Sequence, residues 1–104
     1  MVTAIFTGVA DPVTGVNWCP DCERAKPNIK NVLLANAVGK VLMCIVSRAE
    51  WSGVATHPYK VNPMLKVRGV PTALLINEGQ VVMRAQTDED FDNQELLLSI
   101  AKQE

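Results

Sequence analysis

The chain has 104 residues, a length that suits one compact domain over residues 1–104. Apolar residues make up 48% of it and charged residues 20%, which supports a hydrophobic core and argues against intrinsic disorder. The formal net charge is -1 and the basic residues form no cluster, so we expect neither nucleic-acid binding nor membrane association. Since no secretion signal or membrane-length apolar run is present, we expect a cytoplasmic protein with reduced thiols.

The first half of the chain predicts a β-α-β unit. Residues 2–7 are extended and mostly apolar, which predicts a strand, and a polar loop from Gly8 to Asn17 follows it. Residues 20–38 are predicted to form a helix, and residues 41–46 a parallel strand covered on both faces. The predicted buried face of the helix consists of Ala25, Ile29, Val32, Leu33 and Val38.

The second half predicts a hairpin between two helices. A short helix near residues 59–66 is followed by apolar runs at 71–76 and 80–84, with Gly79 in the turn between them. The last helix is predicted to start near Asp92, where the sequence has capping-box spacing. The element order therefore predicts an α/β fold with a minimal four-stranded mixed sheet and helices on both faces.

In this sheet, the strand at residues 41–46 would lie at an edge, beside residues 2–7. It contains no charge and no proline, the residues that protect an exposed edge from pairing with another chain. The sequence therefore predicts either a weak homodimer through this strand or a monomer that is less stable than five-stranded relatives. The open alternative is that residues 48–60 cover the edge, with Trp51 as the anchor.

The stretch that carries chemistry is Trp18-Cys19-Pro20-Asp21-Cys22, at the start of the first predicted helix. Cys19 would be the N-cap and Pro20 the first helical residue, so free backbone N–H groups would point towards the Cys19 sulfur. These donors and the helix dipole favour the thiolate, which predicts a nucleophilic Cys19 with a pKa of roughly 6 to 7.5. Cys22, one turn further on and less exposed, would resolve the mixed disulfide, and Asp21 could accept its proton. We expect Trp18 to pack over the disulfide.

Two other interpretations of the cysteine pair remain open at this point. A structural zinc site needs about two more Cys or His ligands, but only Cys44 and His57 remain, one in a strand and one in a distant loop. The pair could also be inert. We expect Cys44 to be a buried, unreactive thiol and His57 to be a solvated loop residue.

Two further features accompany the cysteine pair. Pro27 lies inside the predicted helix and should kink it, because proline removes a backbone hydrogen bond. Val70 and Pro71 precede Thr72 at the start of the third predicted strand. Together with the aromatic-Cys-x-x-Cys motif, these residues resemble the thioredoxin superfamily, most closely its branch of small proteins with a WCPDC centre.

The resemblance implies a disulfide reductase that binds no cofactor and receives electrons from NADPH through thioredoxin reductase. Small disulfides such as cystine, or selected proteins, would be its substrates. It also implies a cis Val70–Pro71 bond beside the cysteines. The supporting residues of the site would then be Trp18, Pro20, Val70 and Pro71. The chain lacks two features usual in this superfamily: a strand and helix before the first strand, and a buried Asp beneath the second cysteine. A binding or adaptor module without turnover is the alternative function.

Overall fold

A computed structural model describes all of residues 1–104 and contains the predicted four-stranded mixed sheet. Its strands are β1 (Val2–Gly8), β2 (Lys40–Val46), β3 (Thr72–Asn77) and β4 (Gln80–Ala85). They lie in the order β2-β1-β3-β4. β1 and β2 are parallel, whereas β3 is antiparallel to both of its neighbours. The predicted strands, hairpin and edge position of β2 are therefore confirmed.

Helical segments lie on both faces of this sheet, as the sequence predicts. They are α1 (Pro20–Asn28), a π-helical continuation (Ile29–Leu34), α2 (Arg48–Trp51), α3 (Pro58–Val61), α4 (Asp88–Asp92) and α5 (Gln94–Lys102). None of them is of a length and apolarity that would let it cross a membrane.

One face of the sheet packs against α1, its π-helical continuation, α4 and α5. Alternate residues of the central strands, such as Ile5 and Leu75, meet the apolar side of these helices in a cluster of twelve buried residues. The predicted helical residues Ala25, Ile29, Val32 and Leu33 all belong to it. Val38 does not, because the helical segment has ended before it and 49% of the residue is exposed.

The opposite face is covered by the chain between β2 and β3. Phe6 and Leu74 pack there with Trp51, which is 6% exposed and anchors this segment as predicted. Trp51 lies over the face of the sheet, however, and leaves the outer edge of β2 uncovered: Leu42 and Ile45 are 52% and 55% exposed. The expectation that β2 is covered on both faces is therefore wrong, because Leu42 and Ile45 point to opposite faces of the sheet and both are half exposed. Self-association through this edge stays a prediction.

The first helix changes its hydrogen-bonding pattern shortly after Pro27. The N–H of Ile29 is shared between the carbonyls of Ala25 and Lys26, and the π-helical segment begins at Ile29. Proline has no N–H and its ring crowds the preceding turn, so a local widening of the helix is the expected response. The predicted disturbance at Pro27 thus takes the form of a π-helical segment.

The last helical region differs from the sequence-based expectation. It consists of two helices, and Asp92 ends α4 instead of starting the final helix. Thr87 and Asp90 form the capping box of α4, and Asn93 caps α5 by accepting from the N–H of Leu96. Asn is at least as good an N-cap as Asp, so the start moves by one residue.

Candidate redox site at the start of helix α1

Cys19 occupies the N-cap position of α1, as its sequence context predicts. Its backbone is extended (φ -97°, ψ 111°), and Pro20 is the first helical residue. The N–H of Cys22 donates to the Cys19 sulfur at 3.2 Å. A sulfur in this position receives one of the donors that a helix start leaves free.

Cys22 lies one turn along the helix and is less accessible than Cys19. The two residues are 2% and 6% exposed, and both are free thiols. The Cys22 sulfur accepts from the N–H of Gly8 at 3.4 Å, which ties α1 to the end of β1. The structure thus brings both cysteines together and gives each sulfur its own backbone donor.

The loop before β3 supplies the other side of the site. The Val70–Pro71 peptide bond is cis, as expected. The Cys19 thiol donates to the carbonyl of Val70 at 3.3 Å, although the two residues are 51 positions apart in sequence. Thr72 fastens this loop by donating its hydroxyl to the carbonyl of Gly69 at 2.6 Å. Val70 therefore lies against Cys19 and is followed by the cis Pro71, as the resemblance implies.

The expected low pKa of Cys19 is wrong for this reduced, closed arrangement. Burial raises the pKa of Cys19 to about 12, and hydrogen bonding to the Cys22 side chain acts in the same direction. The Cys22 N–H lowers it, while the charges of Cys22 and Asp21 raise it further. The helix-start donor is present as predicted, but the loss of hydration outweighs it.

The side chain of Asp21 is exposed at the surface of α1, although its charge still acts on Cys19. The Asp21 side chain is 54% exposed and forms an ion pair with Arg24, which also reaches Asp88 at 3.3 Å. Neither carboxylate oxygen of Asp21 bonds to a cysteine. The structure therefore does not place Asp21 where a direct proton transfer from Cys22 needs it.

Trp18 and Gly8 separate the site from the face of the sheet that Trp51 covers. The indole N–H of Trp18 donates to the carbonyl of Val46 at 2.9 Å, and the ring packs against the Trp51 side of the core. A Cβ atom at Gly8 would lie 2.8 Å from the Trp18 indole nitrogen and 2.4 Å from the side-chain oxygen of Asn17. Only glycine permits this close approach.

Asn17 is a site residue that sequence reasoning missed. Its side-chain amide donates to the carbonyl of Gly8 at 2.7 Å, and its side-chain oxygen accepts from the N–H of Cys19 at 3.0 Å. Its own N–H donates to the carboxylate of Glu23 at 2.9 Å. The Asn immediately before Trp-Cys was the available signal, because Asn often bonds to backbone groups two residues away.

The predicted polar loop between β1 and α1 folds as a short hairpin-like turn. Ala10 and Asn17 form an isolated antiparallel bridge, and Asp11 accepts from the N–H groups of Val13 and Thr14 at 2.8 and 3.1 Å. At its tip, Val13 is 91% exposed. This hairpin, residues 8–17, forms one wall of a cavity of about 430 Å³ that reaches Cys22.

The two residues considered as additional zinc ligands lie elsewhere. His57 is not a solvated loop residue as expected: it caps α3 through Nδ1 and its ring lies about 5 Å from the rings of both Trp51 and Tyr59. Cys44 is half-buried instead of fully buried, because it lies on the edge strand. Burial raises the pKa of Cys44, and the side chain of Tyr59 partly opposes this. No three His, Cys, Asp or Glu side chains lie together in a metal-binding arrangement.

A Cys-x-x-Cys pair at the start of a helix, facing a cis-proline loop on a mixed sheet, defines a protein of the thioredoxin-fold dithiol class. Residues 1–103 match the family described as thioredoxin domain-containing protein 17-like, thioredoxin domain. The chain therefore belongs to this family of thioredoxin-fold redox proteins, which confirms the resemblance in the sequence.

Individual relatives carry three different descriptions. The chain is 31% identical to the human thioredoxin domain-containing protein 17 over 82% of its own length and 68% of the relative. It is 39% identical to the thioredoxin-like protein Clot of Arabidopsis thaliana over 65% of its length and 52% of the relative. It is also 39% identical to an acireductone dioxygenase of Leishmania infantum, where the match covers 73% of the chain and 24% of the relative. The chain thus spans only about a quarter of that last protein.

Proposed function

We propose that the protein is a thiol–disulfide oxidoreductase that reduces disulfides through a reversible Cys19–Cys22 dithiol. The observation that carries the proposal is the pairing of the two sulfurs across the first turn of α1. The Cys19 sulfur receives the Cys22 N–H, while its thiol reaches the carbonyl of Val70 in the cis-proline loop. A substrate that docks on this loop brings its disulfide next to the Cys19 sulfur.

The reaction has two exchange steps. The Cys19 thiolate attacks one sulfur of the substrate disulfide, which forms a Cys19–substrate disulfide and releases the other substrate sulfur as a thiol. The Cys22 thiolate then attacks Cys19, which forms the Cys19–Cys22 disulfide and releases the second substrate thiol. The substrate gains two electrons and the dithiol loses them. The lower exposure of Cys22 supports this division of roles.

The raised pKa of Cys19 limits when attack occurs. In the closed, reduced site the thiol donates to the carbonyl of Val70. A substrate that docks on this loop competes for that carbonyl and frees the sulfur, while the Cys22 N–H stays in place to stabilise the thiolate. Cys19 would thus become more reactive as substrate binds, although its burial, the main cause of the raised pKa, persists.

The electron donor and substrates of the proposal follow from the family resemblance. Thioredoxin reductase, with NADPH, would return Cys19–Cys22 to the dithiol, and no cofactor would be bound by the chain itself. Substrates would be cystine or selected protein disulfides in the cytoplasm. The hairpin at residues 8–17 is joined to Cys19 through Asn17, which supports the proposal that it restricts the approach of bulky partners.

The test is NADPH oxidation in the presence of thioredoxin reductase, with cystine and insulin as the two substrates. We expect turnover by the wild-type protein and none by Cys19→Ser, because that variant keeps the fold but has no attacking sulfur. An adaptor module would be silent in both forms. Equal NADPH oxidation by the wild-type protein and Cys19→Ser would therefore reject the reductase and favour the adaptor.

A further inference from the structure

The proposed reaction leaves one chemical requirement without a residue. Cys22 is a thiol and must lose a proton before it can attack Cys19. Asp21 is held by Arg24 at the surface. The helix-facing residues of β1 beside the site, Ile5 and Thr7, have no ionisable group.

The cavity behind Cys22 contains a carboxylate. Its walls come from the end of β1, the hairpin, α1 with its π-helical continuation, and β2, and its volume is about 430 Å³, room for several water molecules. Cys22 lines it together with three charged residues, Glu23, Lys26 and Lys30. The residues that β1, the hairpin and β2 contribute are Thr7, Ala10, Asn17 and Met43, none of them charged. Glu23 is therefore the only acidic group at this cavity.

The carboxylate of Glu23 is held in position and still has an unoccupied oxygen. Its Oε2 accepts from the N–H of Asn17 at 2.9 Å, and the same Asn17 binds the backbone of Gly8 and Cys19. Oε1 has no hydrogen-bond partner in the protein, and neither lysine forms an ion pair with the carboxylate. One oxygen is thus anchored to the site, while the other is free for water.

We propose that Glu23 is the proton acceptor for Cys22, through water in this cavity. In the resolving step, the proton of the Cys22 thiol passes to the Glu23 carboxylate, and the Cys22 thiolate forms the bond to Cys19 as the Cys19–substrate bond breaks. The substrate leaves as a thiolate and takes a proton from solvent. Glu23 returns its proton to solvent through the open side of the cavity. A proton acceptor works directly or across one water, which this arrangement allows.

This inference rests on the proposed function, and one experiment separates the two exchange steps. A small amount of 5,5′-dithiobis(2-nitrobenzoate) is mixed with excess reduced protein in a stopped-flow instrument. Attack by Cys19 releases the first thionitrobenzoate, and resolution by Cys22 releases the second. Glu23→Gln keeps an oxygen acceptor for the Asn17 N–H but accepts protons poorly. Glu89→Gln, at an exposed position of α4, is the matched control.

We expect Glu23→Gln to slow the second release at least about tenfold near neutral pH and to leave the first release within about twofold. The deficit should shrink as pH rises, because hydroxide can then remove the proton. Formate or acetate should restore the second release in Glu23→Ala. Glu89→Gln should behave as the wild-type protein does.

Three results would overturn the proposal. They are an unchanged second release in Glu23→Gln, an equal slowing of both releases at every pH, and a slowing by Asp21→Asn in place of Glu23→Gln. The second result would mean that Glu23 only supports the hairpin. A wild-type protein that releases a single thionitrobenzoate would contradict the dithiol function itself, and so is distinguishable from a failure of Glu23 alone.

Discussion

The two cysteines lie on the same helical turn but have different surroundings. Cys19 faces the cis-proline loop, where its thiol donates to Val70, and the helix start, where it receives the N–H of Cys22. Cys22 faces Gly8 and the cavity that contains Glu23. The two residues are of the same type, so the different roles proposed for them must come from the different groups that each sulfur contacts.

The largest effect on this comparison is expected from Gly8→Ala. The new methyl group would lie 2.4 Å from the Asn17 oxygen and 2.8 Å from the Trp18 indole nitrogen, and both side chains are fixed by hydrogen bonds. We expect a loss of about 1 to 3 kcal/mol in the free energy of unfolding, as is common for overpacking. Disulfide reduction should fall as well, because the Gly8 N–H would leave Cys22.

Chemical denaturation measures this loss, and Gly69→Ala is the control. A Cβ atom at Gly69 would meet no atom within 4 Å. The free energy of unfolding of Gly69→Ala should stay within about 0.5 kcal/mol of the wild-type value. Equal stability of both variants would mean that the close packing at Gly8 yields without cost.

A smaller effect on the free energy of unfolding is expected from pH, through the Cys19 thiol. The pKa of Cys19 is raised to about 12 by burial, above the value of 9.0 for a free thiol. The folded state therefore holds this proton more tightly than the unfolded state. The resulting stability is fully present below pH 9 and is lost as pH rises towards 12.

The measurement is the free energy of unfolding of the reduced protein at pH values from about 8 to about 10.5, the part of the window open to practical work. Stability should fall more steeply with pH in the wild-type protein than in Cys19→Ser, whose hydroxyl does not titrate there. Parallel curves for the two proteins would show that Cys19 keeps the pKa of an exposed thiol.

The fold was predictable because its signals are local and mutually consistent. Residues 2–7 and 41–46 are apolar runs of strand length, and Gly79, whose φ is 76°, marks the turn between β3 and β4. Errors arose where neighbouring signals compete. Asp92 and Asn93 are adjacent and both suit the N-cap of the last helix. In the structure Asp92 is the last residue of α4, and Asn93 caps α5.

The placement of the cysteine pair was predictable from the sequence, but its surroundings were not. Cys19, Pro20 and Cys22 form a motif whose geometry follows from a helix start. The pKa of Cys19 depends on its burial in the folded chain, and the carbonyl that its thiol contacts belongs to Val70, which lies 51 residues away in sequence. Glu23 resembles any other charged residue on a helix until the fold places it beside the cavity.

The most direct test of the central claim is to trap the mixed disulfide. Each serine variant, Cys19→Ser and Cys22→Ser, is incubated with cystine and its intact mass is measured under non-reducing conditions. If Cys19 attacks and Cys22 resolves, as we propose, Cys22→Ser should accumulate one half-cystine adduct at Cys19, and Cys19→Ser should form none. An adduct that forms in Cys19→Ser but not in Cys22→Ser would reverse the roles and contradict the account.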